Sequence, residues 1–70
     1  MKRTPTVDYS NSEIERLIDE YIHSERDRAI LKRRLIDGAI YEQIAEEMDI
    51  HETTCRRRVY RLQNELFKHL

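Results

Sequence analysis

The spacing of the apolar residues is the feature that most constrains the fold of this chain. From residue 14 to residue 66 they recur at intervals of three and four, which is the periodicity of one face of a helix. The chain has one glycine and one proline in 70 residues, and helix-favouring Ile, Leu, Glu and Arg dominate it. The pattern therefore predicts an all-α domain.

The length and the cysteine content limit what can stabilise such a domain. A domain of this size buries only about 60% of the surface that its unfolded chain exposes. The lone cysteine, Cys55, cannot pair within one chain, which fits a reducing cytoplasm. No apolar run is long enough for a signal peptide or a membrane span. We therefore predict a cytoplasmic protein whose core comes from well-formed helices or from self-association.

The N-terminal part divides into an arm and a first helix. Residues 1–11 show no periodicity and include Pro5, so we predict a flexible arm followed by a single helical domain at 12–70. The first helix starts near Ser12, with Asn11 or Ser12 as its cap. Its apolar stripe lies at 14–22 and is expected to pack on the rest of the domain. The alternative is that this stripe docks a partner.

Three further helices follow. Ser24 opens a helix from about 25 to 37, and Gly38 stands where a helix end needs a left-handed residue. Helices at about 41–48 and 52–68 come next. Only three or four residues separate these last two, which is the length of the tight turn in a helix-turn-helix.

The residue types around that turn also match a helix-turn-helix. Ala45 is small where the two helices must cross closely, and Ile50 can plug the junction after the turn. The inward stripe of the second helix consists of Cys55, Val59 and Leu62. We therefore predict a four-helix domain with a helix-turn-helix at 41–64.

The arginines are concentrated in two runs, although the formal net charge of the chain is −1. These runs are Arg26–Arg34 and Arg56–Arg61. With Cys55 pointing inward, Arg57 points nearly opposite at 100° per residue, so the second run lies on the outer face of its helix. Side chains there can reach base edges and phosphates. The alternative interpretation is an ordinary solvated helix face.

The segment IYEQIAEEMDIHETTCRRRVYRLQNELFKHL, preceded by ERDRAILKRRLIDG, resembles region 4 of bacterial RNA polymerase sigma factors. That region reads the upstream promoter element. The resemblance covers roughly residues 25–70, as in small stand-alone phage and prophage proteins. It implies a sequence-specific DNA-binding regulator of transcription, with double-stranded DNA as a partner and RNA polymerase as a further one.

The resemblance also implies site residues. Arg34 matches an arginine that contacts the DNA backbone, and Tyr41 and Glu42 begin the helix whose N-terminus meets phosphate. The positions that read bases and phosphates are occupied by Glu52, Thr53, Thr54, Arg56 and Arg57. We further expect three arginines to position the protein on the DNA backbone, namely Arg33, Arg34 and Arg61.

Four departures from the family pattern matter. His51 replaces the usual Ser or Thr cap, so we expect a less well capped recognition helix. Asp49 replaces the turn glycine, and Asp tolerates a left-handed backbone better than most residues. Arg58 replaces an aliphatic residue and is expected to extend into solvent. Thr53 stands where a base-reading glutamate is common, so the promoter preference of the family does not transfer.

Two other functions stay open. The chain could be a protein-interaction module that binds RNA polymerase or another phage or host protein without DNA, or a helical subunit of a larger complex. A homodimer through residues 14–22 is a further alternative. The histidines show no ligand spacing, so we expect no metal and no cofactor. No nucleophile has a partner base, so we do not expect an enzyme.

Overall fold

The computed structural model describes residues 9–69, which form four α-helices joined by short loops. Helix α1 spans Asn11–Tyr21, α2 spans Glu25–Leu35, α3 spans Tyr41–Met48 and α4 spans Glu52–Phe67. These residues contain no strand, which confirms the all-α prediction. No helix among them is long and apolar enough to cross a membrane.

The start of α1 differs from the prediction. Ser10 is the N-cap, and its hydroxyl oxygen accepts from the backbone N–H of Glu13 at 3.2 Å. The predicted caps, Asn11 and Ser12, are instead the first two helical residues. Because the helix already includes Asn11, the predicted arm at 1–11 is too long; its first eight residues lie outside the described part of the chain.

Helix α2 starts as predicted and ends two residues early. Ser24 caps it by accepting from the backbone N–H of Asp27 at 3.4 Å. The helix ends at Leu35, and Gly38 then adopts a φ of 70°, the left-handed conformation expected of it. This turn directs the chain into α3.

The core consists of two clusters that share α2 and α4. One cluster joins α1 to the C-terminal half of α4 and contains Ile14, Ile18, Ile22, Leu31, Leu62 and Leu66. The other lies inside the helix-turn-helix and contains Ile30, Ala39, Ile44, Ala45, Cys55 and Val59. Three residues of the apolar stripe at 14–22 are therefore buried within the chain, as expected, and a homodimer contact through the stripe stays a prediction.

The turn between α3 and α4 is fixed by three residues. Asp49 has a left-handed backbone with φ 56° and ψ 47°, as its chemistry allows. The backbone N–H of Ile50 donates to the carbonyl of Ala45 at 2.9 Å, and the Ile50 side chain packs against the second cluster. The two helices of the helix-turn-helix are thereby held at one angle.

The N-cap of α4 is made by a histidine. His51 Nδ1 accepts from the backbone N–H of Thr53 at 3.2 Å, so the side chain does satisfy one N–H of the first turn. That this cap is weaker than the usual Ser or Thr cap stays a prediction.

Candidate nucleic-acid interface

Helix α4 has one buried face and one face that no other helix covers. Cys55, Val59 and Leu66 are fully buried, and Leu62 is nearly so. Because the helix turns 100° per residue, the opposite side must face solvent. The exposed side chains in its first ten residues are Glu52, Thr53, Thr54, Arg56, Arg57, Tyr60 and Arg61. The predicted α4 residues thus lie together on one accessible helix.

Two arginines of this face are not engaged by the protein. Arg57 and Arg61 make no hydrogen bond or ion pair within residues 9–69. Together with Thr54 and Arg58 they line an open groove along α4. Their spacing of three and four residues places them on the same side of the helix. A strongly basic, hydrogen-bond-donating surface results.

A second basic site forms where α2, α3 and α4 meet. The Cζ atom of Arg34 lies 4.2 Å from the centroid of the Tyr41 ring, and that of Arg56 lies 5.3 Å from it. Arg34 also donates from Nη1 to the carbonyl of Ala39 at 3.0 Å. Arg56 donates from Nη2 to the Glu52 carboxylate at 3.3 Å. The fold therefore brings predicted site residues from three helices to one place.

The N-terminus of α3 lies beside this basic site. Its N-cap, Ile40, makes no side-chain hydrogen bond to the first turn, and 59% of its surface is exposed. The first backbone N–H groups of the helix therefore lack a side-chain acceptor. Glu42 is exposed in the same turn, where its negative charge suits the helix dipole.

Arg33, one of the predicted DNA-backbone contacts, is engaged by carboxylates of the protein itself. Its Nε and Nη2 donate to the two oxygens of Glu47 at 2.9 and 2.7 Å, and its Nη1 donates to Asp37 at 3.0 Å. These hydrogen bonds hold the pKa of Glu47 below its usual value and raise the pKa of Arg33. The guanidinium fork of Arg33 is thus already occupied inside the protein, and its contact with the DNA backbone stays a prediction.

Arg58 also departs from expectation. Instead of extending into solvent, its Nη1 lies 3.3 Å from Asp27 Oδ1, and the Asp27 side chain is only 15% exposed. The pair joins α4 to the first turn of α2. Position 58, where the family pattern has an aliphatic residue, thus carries an arginine that forms an ion pair inside the protein.

One exposed residue on α4 is not among the predicted site residues. Tyr60 is 58% exposed and stands one helical turn beyond Arg56 and Arg57. Its helical phase relative to Cys55 already places it on the outer side of the helix, well away from the buried stripe. It is an aromatic side chain within a basic helix face.

The surroundings of the cysteine and of the metal-ligating residue types can be described for residues 9–69. Cys55 is fully buried between α3 and α4, and burial raises the pKa of its thiol. Within the described residues no group of His, Cys, Asp and Glu side chains is arranged to hold a metal ion.

Comparison with protein families gives one match. The family model described as Sigma-70, region 4 matches residues 24–62, which is more than half of the chain. The match spans α2, α3 and most of α4, and leaves α1 outside. No curated protein and no solved structure gave a significant match. The matched family is a helix-turn-helix DNA-binding domain, and the match includes every helix that contributes to the basic sites described above. The chain belongs to the sigma-70 region 4 family.

Proposed function

We propose that this protein is a sequence-specific DNA-binding regulator of transcription whose helix α4 enters the major groove. One observation carries the proposal. In a domain of this DNA-binding family, Arg57 and Arg61 stand on the uncovered face of α4 with no partner in the described chain. A fold that pairs most of its other arginines internally leaves these two available for a ligand.

The residues at the start of α4 are suited to read bases. Arg57 can donate two hydrogen bonds to a guanine edge, and Thr53 and Thr54 can bond a base or contact a thymine methyl group. Glu52, at the first position of the helix, can accept from the amino group of cytosine. Recognition helices use their N-terminal residues in this way.

Other side chains are suited to hold the backbone. Arg61 lies farther along α4, where it can reach a phosphate without touching a base. The uncapped first turn of α3, which begins at Tyr41 and Glu42, offers N–H groups to a second phosphate. Arg34 lies next to that turn.

A second proposed partner is RNA polymerase, which membership of the sigma-70 region 4 family suggests. The chain has a formal net charge of −1 and few unpaired arginines, so few counterions are released when it binds DNA. Its affinity as a lone domain should be modest. Attachment to polymerase would raise its effective concentration at a promoter.

The proposal is tested by NMR titration of the labelled protein with a short random-sequence duplex at low salt and again at about 200 mM salt. Shifts confined to residues 52–61 and the start of α3, fading with salt, would support it. Absence of shifts at low salt would contradict it. Capture of polymerase by both the native protein and the Arg57→Ala, Arg61→Ala variant would then favour a protein-interaction module.

A further inference from the structure

The ring of Tyr41 connects two arginines that come from different helices. Arg34 belongs to α2 and Arg56 to α4, and both guanidinium groups lie within 5.3 Å of the centroid of this one ring. The ring is half-buried and packs against the core cluster of the helix-turn-helix. Its position is therefore set by the core rather than by the arginines.

Neither arginine is saturated by its contacts inside the protein. A guanidinium group has five N–H donors. Arg34 gives one to the carbonyl of Ala39, and Arg56 gives one to Glu52 in a pair that is about half exposed. The remaining donors have no acceptor within the described residues. Two positive charges held on the same ring repel one another, and an anion bound near both reduces that repulsion.

We propose that Tyr41 is a positioning residue that holds Arg34 and Arg56 together as a clamp for one phosphate of the DNA backbone. The inference rests on the proposed function. The negative face of the ring attracts both cations and restricts their rotamers before DNA arrives. Less side-chain entropy is then lost when the phosphate binds. The phosphate also relieves the repulsion between the two charges.

The clamp gives Arg56 and Arg57, two neighbouring arginines of α4, different roles in DNA binding. Arg56 turns toward Tyr41 at the edge of the helix and contacts the DNA backbone. Arg57, the next residue, points away from Tyr41 and is left for a base edge or a separate phosphate. We therefore expect the effect of removing Arg56 on DNA binding to depend on Tyr41. The effect of removing Arg57 should not depend on it.

The test compares Tyr41→Leu, which removes the ring, with Tyr41→Phe, which keeps it. Binding to a labelled random-sequence duplex is measured by fluorescence anisotropy at low salt. Tyr41→Leu should bind about three- to fivefold more weakly, and Tyr41→Phe should recover most of that loss. Circular dichroism checks that each variant is folded.

A double-mutant cycle separates positioning from a merely structural role. Arg56→Ala should weaken binding clearly in the native protein and much less in the Tyr41→Leu background, because the clamp is already lost. Arg57→Ala should weaken binding by the same factor in both backgrounds. Tyr60→Leu is the control for loss of an aromatic ring. Because Tyr60 does not contact Arg34, this substitution should not change the effect of Arg34→Ala on DNA binding.

Each outcome decides the inference. Equal effects of Arg56→Ala in both backgrounds, with salt-sensitive binding by the native protein, would overturn the clamp and leave the proposed function standing. No salt-sensitive binding by the native protein would overturn both. If Tyr41→Leu does not fold, the cycle is run with Arg34→Ala and Arg56→Ala. If both arginines bind one phosphate, the second arginine substitution should weaken DNA binding less than the first. Independent effects of the two substitutions on DNA affinity would overturn the clamp.

Discussion

The two basic runs of this chain have similar composition but differ in how many of their charges are engaged inside the protein. In the run on α2, each of the five basic side chains binds another part of the protein: Arg26, Arg28, Lys32, Arg33 and Arg34. In the run on α4, Arg57 and Arg61 bind nothing within residues 9–69. The number of positive charges in a run therefore does not indicate how many of them are available for a ligand.

The difference follows from what surrounds each helix. Helices α2 and α4 each pack against all three other helices, but the basic side chains of α2 end beside carbonyl groups and carboxylates of the neighbouring helices and loops. Arg26 donates to the carbonyl of Met48 at 2.6 Å, and Arg28 donates to that of Ile22. Both acceptors lie at helix C-terminal ends, which attract cations. Helix α4 has one face that none of residues 9–69 covers, and a charge there remains available for a ligand.

The largest expected effect comes from enlarging Ala45, on which the arrangement of both runs depends. Ala45 is buried at the crossing of α3 and α4. Ala45→Leu should lower the free energy of unfolding by about 1–3 kcal/mol through overpacking. Urea unfolding measures this. Gln43→Leu, at an exposed position of the same helix, is the control and should change stability little. An unchanged midpoint for Ala45→Leu would contradict the crossing described here.

A direct test of the comparison removes two positive charges from each run. Arg57→Ala with Arg61→Ala should weaken duplex binding about tenfold or more and leave the melting temperature unchanged. If each arginine neutralises one phosphate, the slope of log affinity against log salt should fall by about 0.9 per residue. Anisotropy titrations over a range of salt concentrations give this slope.

The matched variant is Lys32→Ala with Arg33→Ala, which changes the net charge equally. Lys32 pairs with Asp19 at 2.7 Å and Arg33 pairs with Glu47, so this variant should melt at a lower temperature. Its salt slope should stay close to that of the native protein. Equal losses of slope in both variants would mean that only net charge matters and that the two runs do not differ.

The helices and the helix-turn-helix were predictable because their signals are local. Apolar spacing, the single glycine at 38 and the short turn before Ile50 each lie within a few residues. The position of α1 was left open for a physical reason. An amphipathic stripe shows that a face must be buried and does not show what buries it. Only the tertiary packing placed Ile18 against Leu66 and its neighbours.

The sequence could not sort the arginines because their partners are far away in the chain. Arg33 and Glu47 are 14 residues apart, and Arg58 and Asp27 are 31 apart. No periodicity reports such pairings. The hydrogen bond of His51 shows a different limit of the sequence: capping preferences emphasise hydroxyls and carboxylates, whereas a neutral imidazole nitrogen also accepts a hydrogen bond.

A smaller effect is expected from substituting Arg58, an arginine of α4 that is engaged inside the protein, as the arginines of α2 are. Arg58→Leu should lower the free energy of unfolding by about 1 kcal/mol, because it leaves the mostly buried Asp27 carboxylate without its partner. Adding Asp27→Asn should restore part of the loss. The salt slope for DNA should not change, since the charge is engaged inside the protein. A slope reduced as much as in Arg57→Ala would place Arg58 on the DNA face instead.

The smallest expected effect concerns Glu47, the acceptor that engages Arg33. The hydrogen bonds from Arg33 hold the native pKa of Glu47 below its ordinary value of 4.5. A carboxyl group with a lowered native pKa stabilises the fold above its ordinary pKa, and that contribution is lost as pH falls through the native pKa. Glu47→Gln should therefore be slightly less stable than the native protein near neutral pH. The two should converge below pH 4.5.

Thermal unfolding over that pH range measures the convergence, and Glu46→Gln is the matched control. Glu46 is exposed on the same helix and has no ion pair within the described residues, so its substitution removes no internal partner of an arginine. Because the Arg33–Glu47 pair is partly exposed, added salt should also shrink the difference at neutral pH. If the Glu47 and Glu46 variants respond alike to pH, Arg33 is not committed to Glu47 in solution. Arg33 would then be available for DNA contact, and the contrast between the two basic runs would weaken at that position.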